Sequence, residues 1–411
     1  MIRRFCLYGF LKNQRYFEPF IVLAFLEKGL TFLDIGWLIG FREICILVLE
    51  IPSGAVADVF GRRRSMVFSF LSYIVSFLLF GLAQAMPLLI AAMLFFAIGD
   101  AFRTGTHKAM IFEWLRLENR LDERTRVYGF TRSWSKFGSA VSSLIAAALV
   151  IVSGTFSIIF WLSVIPYVLN LFNFLGYPKS LEGEHEAETS IREAVRLTGR
   201  ALRESFTSNR LRALLLESMM LEGVFKVAGG YLQPVLKSLA LGMPLLALGL
   251  EPDQRGALII GLVYFLYFLL MAMASRKAHR WVEILGGEKQ LTRMMWGMNL
   301  VVFLIMSQTI LAGMTGLVVL SFIALGLIQN TFRPAQITRF NRNSSPEMGA
   351  TILSIESQSK SLATAVMAPV LGWAVDKDTS LVGGDISGYW PVAALGVGVS
   401  ILILLFRITR K

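Results

Sequence analysis

The sequence predicts an all-α membrane protein: twelve transmembrane helices in two six-helix halves, with both termini cytoplasmic. Three observations carry that expectation. The chain is 55% hydrophobic and 17% charged over 411 residues, where soluble proteins run at about 45–50% and about 25%. Its apolar residues gather into twelve runs, each near the ~20 residues that a helix needs to cross a bilayer. Lys and Arg crowd into alternate links between the runs, the bias that marks cytoplasmic loops.

Taken in order, the runs cover 16–32, 35–57, 65–85, 87–114, 128–152 and 155–176, then 211–241, 255–275, 291–311, 313–338, 349–375 and 389–406. The first half is therefore expected over 1–176, a cytoplasmic linker over 177–210, and the second half over 211–411. One set of links holds Arg62, Arg63 and Arg64, then Arg116 to Arg126, then Arg276 to Lys289, then Arg339 and Arg342, while 84–87 and 307–315 hold no base. Within the linker, Ile191, Ala194, Val195 and Leu197 recur at helical spacing. That pattern suits an amphipathic helix on the membrane surface; a solvated linker helix fits equally.

Composition also excludes classes. The net charge of +12 sits in the links, so it reads as topology and lipid contact rather than nucleic-acid binding. Two cysteines, Cys6 and Cys45, build no disulfide framework. The basic start, Met1-Ile2-Arg3-Arg4, is not followed by a signal-peptide cleavage pattern. His107, His185 and His279 lie far apart, and no phosphate-binding glycine loop or nucleophile–base pattern is present. The expectation is a protein that is not an enzyme, with no cofactor and no metal, acting as a monomer in the bacterial inner membrane.

Two repeats are suggested by Phe102-Arg103-Thr104 and Phe332-Arg333-Pro334, each near the end of the fourth run of its half. Paired six-helix repeats are a transporter plan. The hairpin between runs two and three is more specific. It reads Gly54-Ala55-Val56-Ala57-Asp58-Val59-Phe60-Gly61-Arg62-Arg63-Arg64. A glycine, an acid four residues on, a second glycine and a run of bases resembles the signature between helices two and three of the major facilitator superfamily. The resemblance covers essentially the whole chain. It implies alternating access, with Asp58 packing at the cytoplasmic start of helix eleven and Arg62 pairing with Glu113. Asp58, Gly61, Arg62 and Glu113 would then form a cytoplasmic gate. Two departures stand out. The second-half copy, Ser275-Arg276-Lys277-Ala278-His279-Arg280, lacks the glycine–acid frame. Run five reads Gly138-Ser139-Ala140-Val141-Ser142-Ser143, without the proline and paired glycines of drug/proton antiporters, which weighs against antiport.

Ionisable residues inside spanning helices are costly and face partners or wet cavities. Counting helical rise from the outer ends puts Glu18 and Arg42 near mid-depth, so they can pair. Asp100, Arg103 and His107 share one helix face at spacings of three and four, with adjacent Lys108 pointing elsewhere. Arg132 and Lys136 share a face of run five. Together these bases describe either a positive pocket for an anion or a salt-bridge network under the gate. In the second half, Glu222 and Lys226, and Glu356 and Lys360, are i, i+4 pairs; Gln329, Asn330 and Arg333 add polar groups. The resemblance implies that helices one, four, seven and ten line the central cavity. That puts forward Glu18, Asp100 and Glu222 for proton coupling, and Arg42, Arg103, His107, Lys226, Gln329 and Asn330 for substrate.

The functional expectation is a secondary transporter in the lipid bilayer, moving a small organic molecule with protons, efflux preferred over uptake of an organic anion. A membrane sensor on the same fold is the reading from another class. Substrate-dependent flux separates the two.

Overall fold

The computed structural model describes residues 1–182, 196, 199–200, 203–243, 249–343, 349–382 and 385–408. Within these, the side chains of residues 51, 55, 58–60, 124–125, 182, 349–350, 380–382 and 407–408 lie outside the description. The amphipathic helix expected over 191–197 falls almost wholly outside the described residues, and so does the Asp58 side chain.

The described residues form helices and no strand. In chain order these are α1 (Ile2–Lys12), α2 (Ile21–Glu27), α3 (Phe32–Phe60), α4 (Arg62–Leu82), α5 (Met86–Arg103), α6 (Thr106–Leu117), α7 (Arg124–Ser153) and α8 (Ile158–Leu175). After the linker come α9 (Asn209–Ala228), α10 (Leu232–Leu241), α11 (Pro252–Ile284), α12 (Glu288–Leu311), α13 (Thr315–Asn343), α14 (Gly349–Val382) and α15 (Trp390–Ile408). Eight helical stretches among the described residues are long and apolar enough to cross a membrane. The other four of the twelve crossings fall on α1–α2, α3, α9–α10 and α14, which are broken or rich in charge and small residues. Large apolar side chains such as Phe172, Leu266, Val366 and Trp373 face outward, a liability in water and the normal condition in lipid.

Three predicted runs differ from the helices observed. The first crossing is helical from Ile2, well before residue 16, and it unwinds over residues 13–20. Pro19 lacks an N–H and disfavours helical backbone at Glu18, while the Asn13 amide turns back to the Gly9 carbonyl at 2.7 Å. The fourth crossing is interrupted at Thr104–Gly105, where Gly105 takes φ +80°, a conformation that a Cβ disfavours. The seventh crossing passes through a 3-10 turn at Gly229–Tyr231. The hairpin glycine behaves as its motif requires: α3 ends at Phe60, Gly61 takes φ +98°, and α4 starts at Arg62. Arg63 then donates to the Phe174 and Leu175 carbonyls at 3.3 and 3.0 Å, satisfying the open end of α8.

By contact the chain divides into two compact units, residues 1–24 with 41–196, and residues 25–40 with 197–411. The first unit is held by an aromatic core in which Tyr73 packs on Phe70, Phe77, Phe96 and Tyr167. A serine stripe on α4 binds it to α5: Ser65, Ser69 and Ser76 donate to the carbonyls of Phe102, Gly99 and Ala92. In lipid there is no hydrophobic drive between helices, so such small polar contacts hold them. Gly9 on α1 and Gly138 on α7 bring those backbones close; a Cβ at Gly9 would lie 3.0 Å from the Thr131 carbonyl.

The second unit packs α9, α12, α13 and α15 around Trp296, Phe332 and Leu291, all fully buried. Asn299 on α12 donates to Ser400 on α15 at 2.9 Å. The start of α3 belongs to this unit. Its Gly36-x-x-x-Gly40 face lies on Ala365, Ala368 and Pro369 of α14, the close approach that small residues permit. The two oxygens of Asp376 on α14 accept from the Phe32 and Leu33 amides at 2.9 and 2.7 Å. A carboxylate there satisfies two of the orphan N–H groups and the helix dipole. Asp376→Ala should therefore cost about 1 kcal/mol, as loss of an N-cap does. The measurement is thermal unfolding in detergent, and an unchanged melting temperature would show that the cap contributes nothing.

Candidate functional site

Among the described residues, a polar cluster lies within the spanning helices of each unit. In the first unit a cavity of about 170 Å³ opens where α1, the α5–α6 break and α7 meet. Lys12 reaches it from α1, Arg103 from the end of α5, His107 and Lys108 from the first turn of α6, and Arg132 from α7. Arg103 pairs with Asp100 at 2.7 Å, and the Tyr73 hydroxyl donates to the same carboxylate at 2.5 Å while accepting from Arg103 at 3.1 Å. His107 is 8% exposed and stacks on Tyr8 at 3.7 Å between centroids. Arg132 donates to the Tyr128 hydroxyl at 3.2 Å. Lys108 sits over the Phe112 and Tyr128 rings at 5.5 and 5.7 Å.

Arg103, His107 and Arg132 thus come together as the sequence suggests, but for another reason. The helix is broken between Arg103 and His107, so a turn, not a shared helix face, brings His107 to the cavity. The break also turns Lys108 into the cavity, contrary to expectation, and Lys136 does not line it. Lys12 is the residue that sequence reading missed. It lies before Tyr16, from which the first run was counted; the apolar stretch Phe5 to Leu11 was the signal for an earlier start.

The Glu18–Arg42 pair is not formed. Glu18 lies in the unwound segment, 3.9 Å from Arg15, so the helical depth count does not apply to it. Arg42 pairs with its neighbour Glu43 at 2.7 Å, and Glu43 is 1% exposed. Glu43 was also missed, although adjacent opposite charges in the middle of an apolar run were the clue. The Arg62–Glu113 pair is not formed either. Glu113 is taken by Arg116, one turn along the same helix, at 2.8 Å; a partner already on its own helix face is the nearer one.

In the second unit the cluster joins α9, α13 and α14. Both oxygens of Glu222 accept from the Gln329 amide at 3.0 and 2.9 Å. Asn330 donates to the Gln329 carbonyl at 2.8 Å and so fixes that amide. The expected Glu222–Lys226 pair is therefore replaced by a neutral donor from a neighbouring helix, and Lys226 is exposed. Arg333 lies 4.0 Å from Glu222 and grips Glu356 with two nitrogens at 2.5 and 3.0 Å. Lys360 reaches Glu356 at 3.1 Å, the i, i+4 pair that its spacing predicts, and the Ser218 hydroxyl donates to the same carboxylate. Glu356 is fully buried. On the same helices α9 and α13, Arg339 binds Glu217 at 2.7 Å, with Thr292 and Gln336 as further partners.

No group of three metal-ligating side chains occurs among the described residues. What these clusters can do is hold charge, exchange hydrogen bonds and take up protons inside a membrane. A multi-pass helical protein with charge clusters at membrane depth and broken helices in both sequence halves has the architecture of a membrane transporter. The chain belongs to the Major Facilitator Superfamily, whose family model matches residues 11–366.

A curated relative, the uncharacterised MFS-type transporter YxaM of Bacillus subtilis (strain 168), is 25% identical over 233 residues. That match spans 54% of this chain and 55% of the relative, about half of each. Among solved structures, the nucleoside transporter NupG superposes with a TM-score of 0.75 at 15% identity, covering 99% of this chain and 96% of that one. A D-xylose-proton symporter gives 0.70 at 14% identity, covering 98% and 95%. At such identities the likeness is one of fold.

Proposed function

We propose that this protein is a secondary active transporter of a small organic molecule, working by alternating access in the bacterial plasma membrane and driven by protons. The observation that carries the proton part is the environment of Glu222. Its carboxylate is 14% exposed and is held by an amide, with Arg333 only at 4.0 Å. It can accept a proton without breaking a short ion pair. Asp100 and Glu356 are each gripped by an arginine at 2.7 Å or closer, and Glu18 is 40% exposed. Of the carboxylates put forward, Glu222 is therefore the best proton carrier. One fold neighbour is a D-xylose-proton symporter, which supports proton coupling as a mode this fold accommodates. The Gly61 turn supports reading the Asp58 hairpin as part of a gate, with Glu113 removed from it.

The test is flux in proteoliposomes under an imposed pH gradient. Glu222→Gln is expected to cut the response to the gradient at least tenfold while leaving gradient-independent exchange in place. If the variant keeps the full response, Glu222 is not the carrier. Imposing the gradient in each direction separates efflux, which the sequence reading prefers, from uptake.

A further inference from the structure

We propose that the cavity at the α5–α6 break binds a small anion carrying a phosphate or carboxylate group, and that the transported molecule belongs to that class. The second clause rests on the transport reading above; the first does not.

The argument starts from charge. Arg103 already has a carboxylate, Asp100, at 2.7 Å. Lys12, Lys108 and Arg132 line the same cavity, and their described contacts are aromatic rings and a tyrosine hydroxyl. No acid is among the cavity's lining residues. Three cations line one small space; Lys108 and Arg132 are exposed, so water screens part of their mutual repulsion. An anion between them removes that cost.

The backbone adds to it. The helix α6 runs for 12 residues from Thr106, and its N-cap, Gly105, supplies no side-chain hydrogen bond. Its first-turn N–H groups and the positive end of its dipole therefore remain available at the cavity edge, where Gly105, His107 and Lys108 stand. Helix N-termini bind phosphate and carboxylate for this reason. A second, independent observation points the same way. The His107 ring is 8% exposed and lines the cavity, yet its Nε2 has no hydrogen-bond partner. Buried polar atoms are almost always satisfied, and a bound anion would supply the partner that this nitrogen lacks. The volume, about 170 Å³, is below the ~300 Å³ at which drug-sized pockets begin. It suits a phosphate group or a short dicarboxylate rather than a large amphiphile.

The test is calorimetric titration of the full-length protein in a neutral detergent, with inorganic phosphate and with succinate as probes. Saturable binding of at least one probe is expected, weakening as salt is raised. Lys12→Ala and Lys108→Ala should each weaken it at least tenfold, and His107→Ala should do so with partial recovery in His107→Gln. Lys289→Ala, at a base that is not among the cavity's lining residues, should bind as the parent does. Thermal unfolding of each variant identifies those that fold, and only folded variants are compared. If neither probe binds the parent, or if the three cavity variants bind as the parent does, the anion site is overturned. Binding that only short-chain phosphatidic acid achieves would assign the cavity to lipid headgroups and overturn the substrate clause. Flux of the bound anion under a pH gradient tests the transport reading separately: binding without flux sinks that reading and leaves the site, and flux of an uncharged molecule without anion binding does the reverse.

Discussion

Glu356→Ala is expected to destabilise the protein by about 3–5 kcal/mol, the cost of removing one partner of a buried ion pair. Glu356 is fully buried and takes Arg333, Lys360 and Ser218 at once. Without it, the cations Arg333 on α13 and Lys360 on α14 lose their shared carboxylate, and the nearest acid left to Arg333 is Glu222 at 4.0 Å. Glu356→Gln keeps the shape and one acceptor, so it should lose less than the alanine variant. Lys360→Ala should cost less still, because the carboxylate keeps its two-nitrogen grip from Arg333. Chemical or thermal unfolding in detergent gives the ranking directly. If Glu356→Ala and Lys360→Ala unfold alike, the network is not centred on the carboxylate.

Gly372→Val is the second large effect. A Cβ on Gly372 would press on the Phe32 carbonyl and stand 2.9 Å from the Leu33 Cα. Those atoms are backbone at the start of α3 and cannot rotate aside. Overpacking of this kind costs about 1–3 kcal/mol, and valine adds two methyl groups to the clash. The same turn of α3 is capped by Asp376, so the two sites share a partner. Gly372→Val and Asp376→Ala should then be sub-additive in the double variant, since displacing Phe32 and Leu33 already spoils the cap. Additive losses would show that the glycine contact and the cap act independently.

Much of this architecture was legible in the residues. Twelve apolar runs, a basic hairpin and its Gly61 turn led to the membrane fold and to the family. The Glu356–Lys360 pair also followed from spacing alone, because both residues sit on one unbroken helix. Arg103, His107 and Arg132 were rightly grouped, though by a helix face that the Gly105 turn interrupts.

What failed has two causes. Some contacts depend on a place where a helix stops or on what a neighbour presents, while the Glu113–Arg116 and Arg42–Glu43 pairs are local to one helix. Glu18 was placed by counting along a helix that unwinds before Pro19. Glu222 was matched to Lys226 on its own helix, and Gln329 on another helix took both oxygens. Glu113 was assigned to a distant arginine, and Arg116 one turn away was nearer. Lys12 was overlooked because its helix begins at Ile2.

By itself, then, the sequence determined the number of the crossings, their membrane setting and the family. Those depend on hydropathy and local turn chemistry, which each segment carries within itself. The tertiary structure alone decided which charges meet, that Asp376 caps α3, and that a basic cavity opens at the α5–α6 break. In a membrane, a buried charge takes whichever partner lies within hydrogen-bond reach, on its own helix as with Glu356 and Lys360, or on a neighbour that the packing brings near as with Glu222 and Gln329.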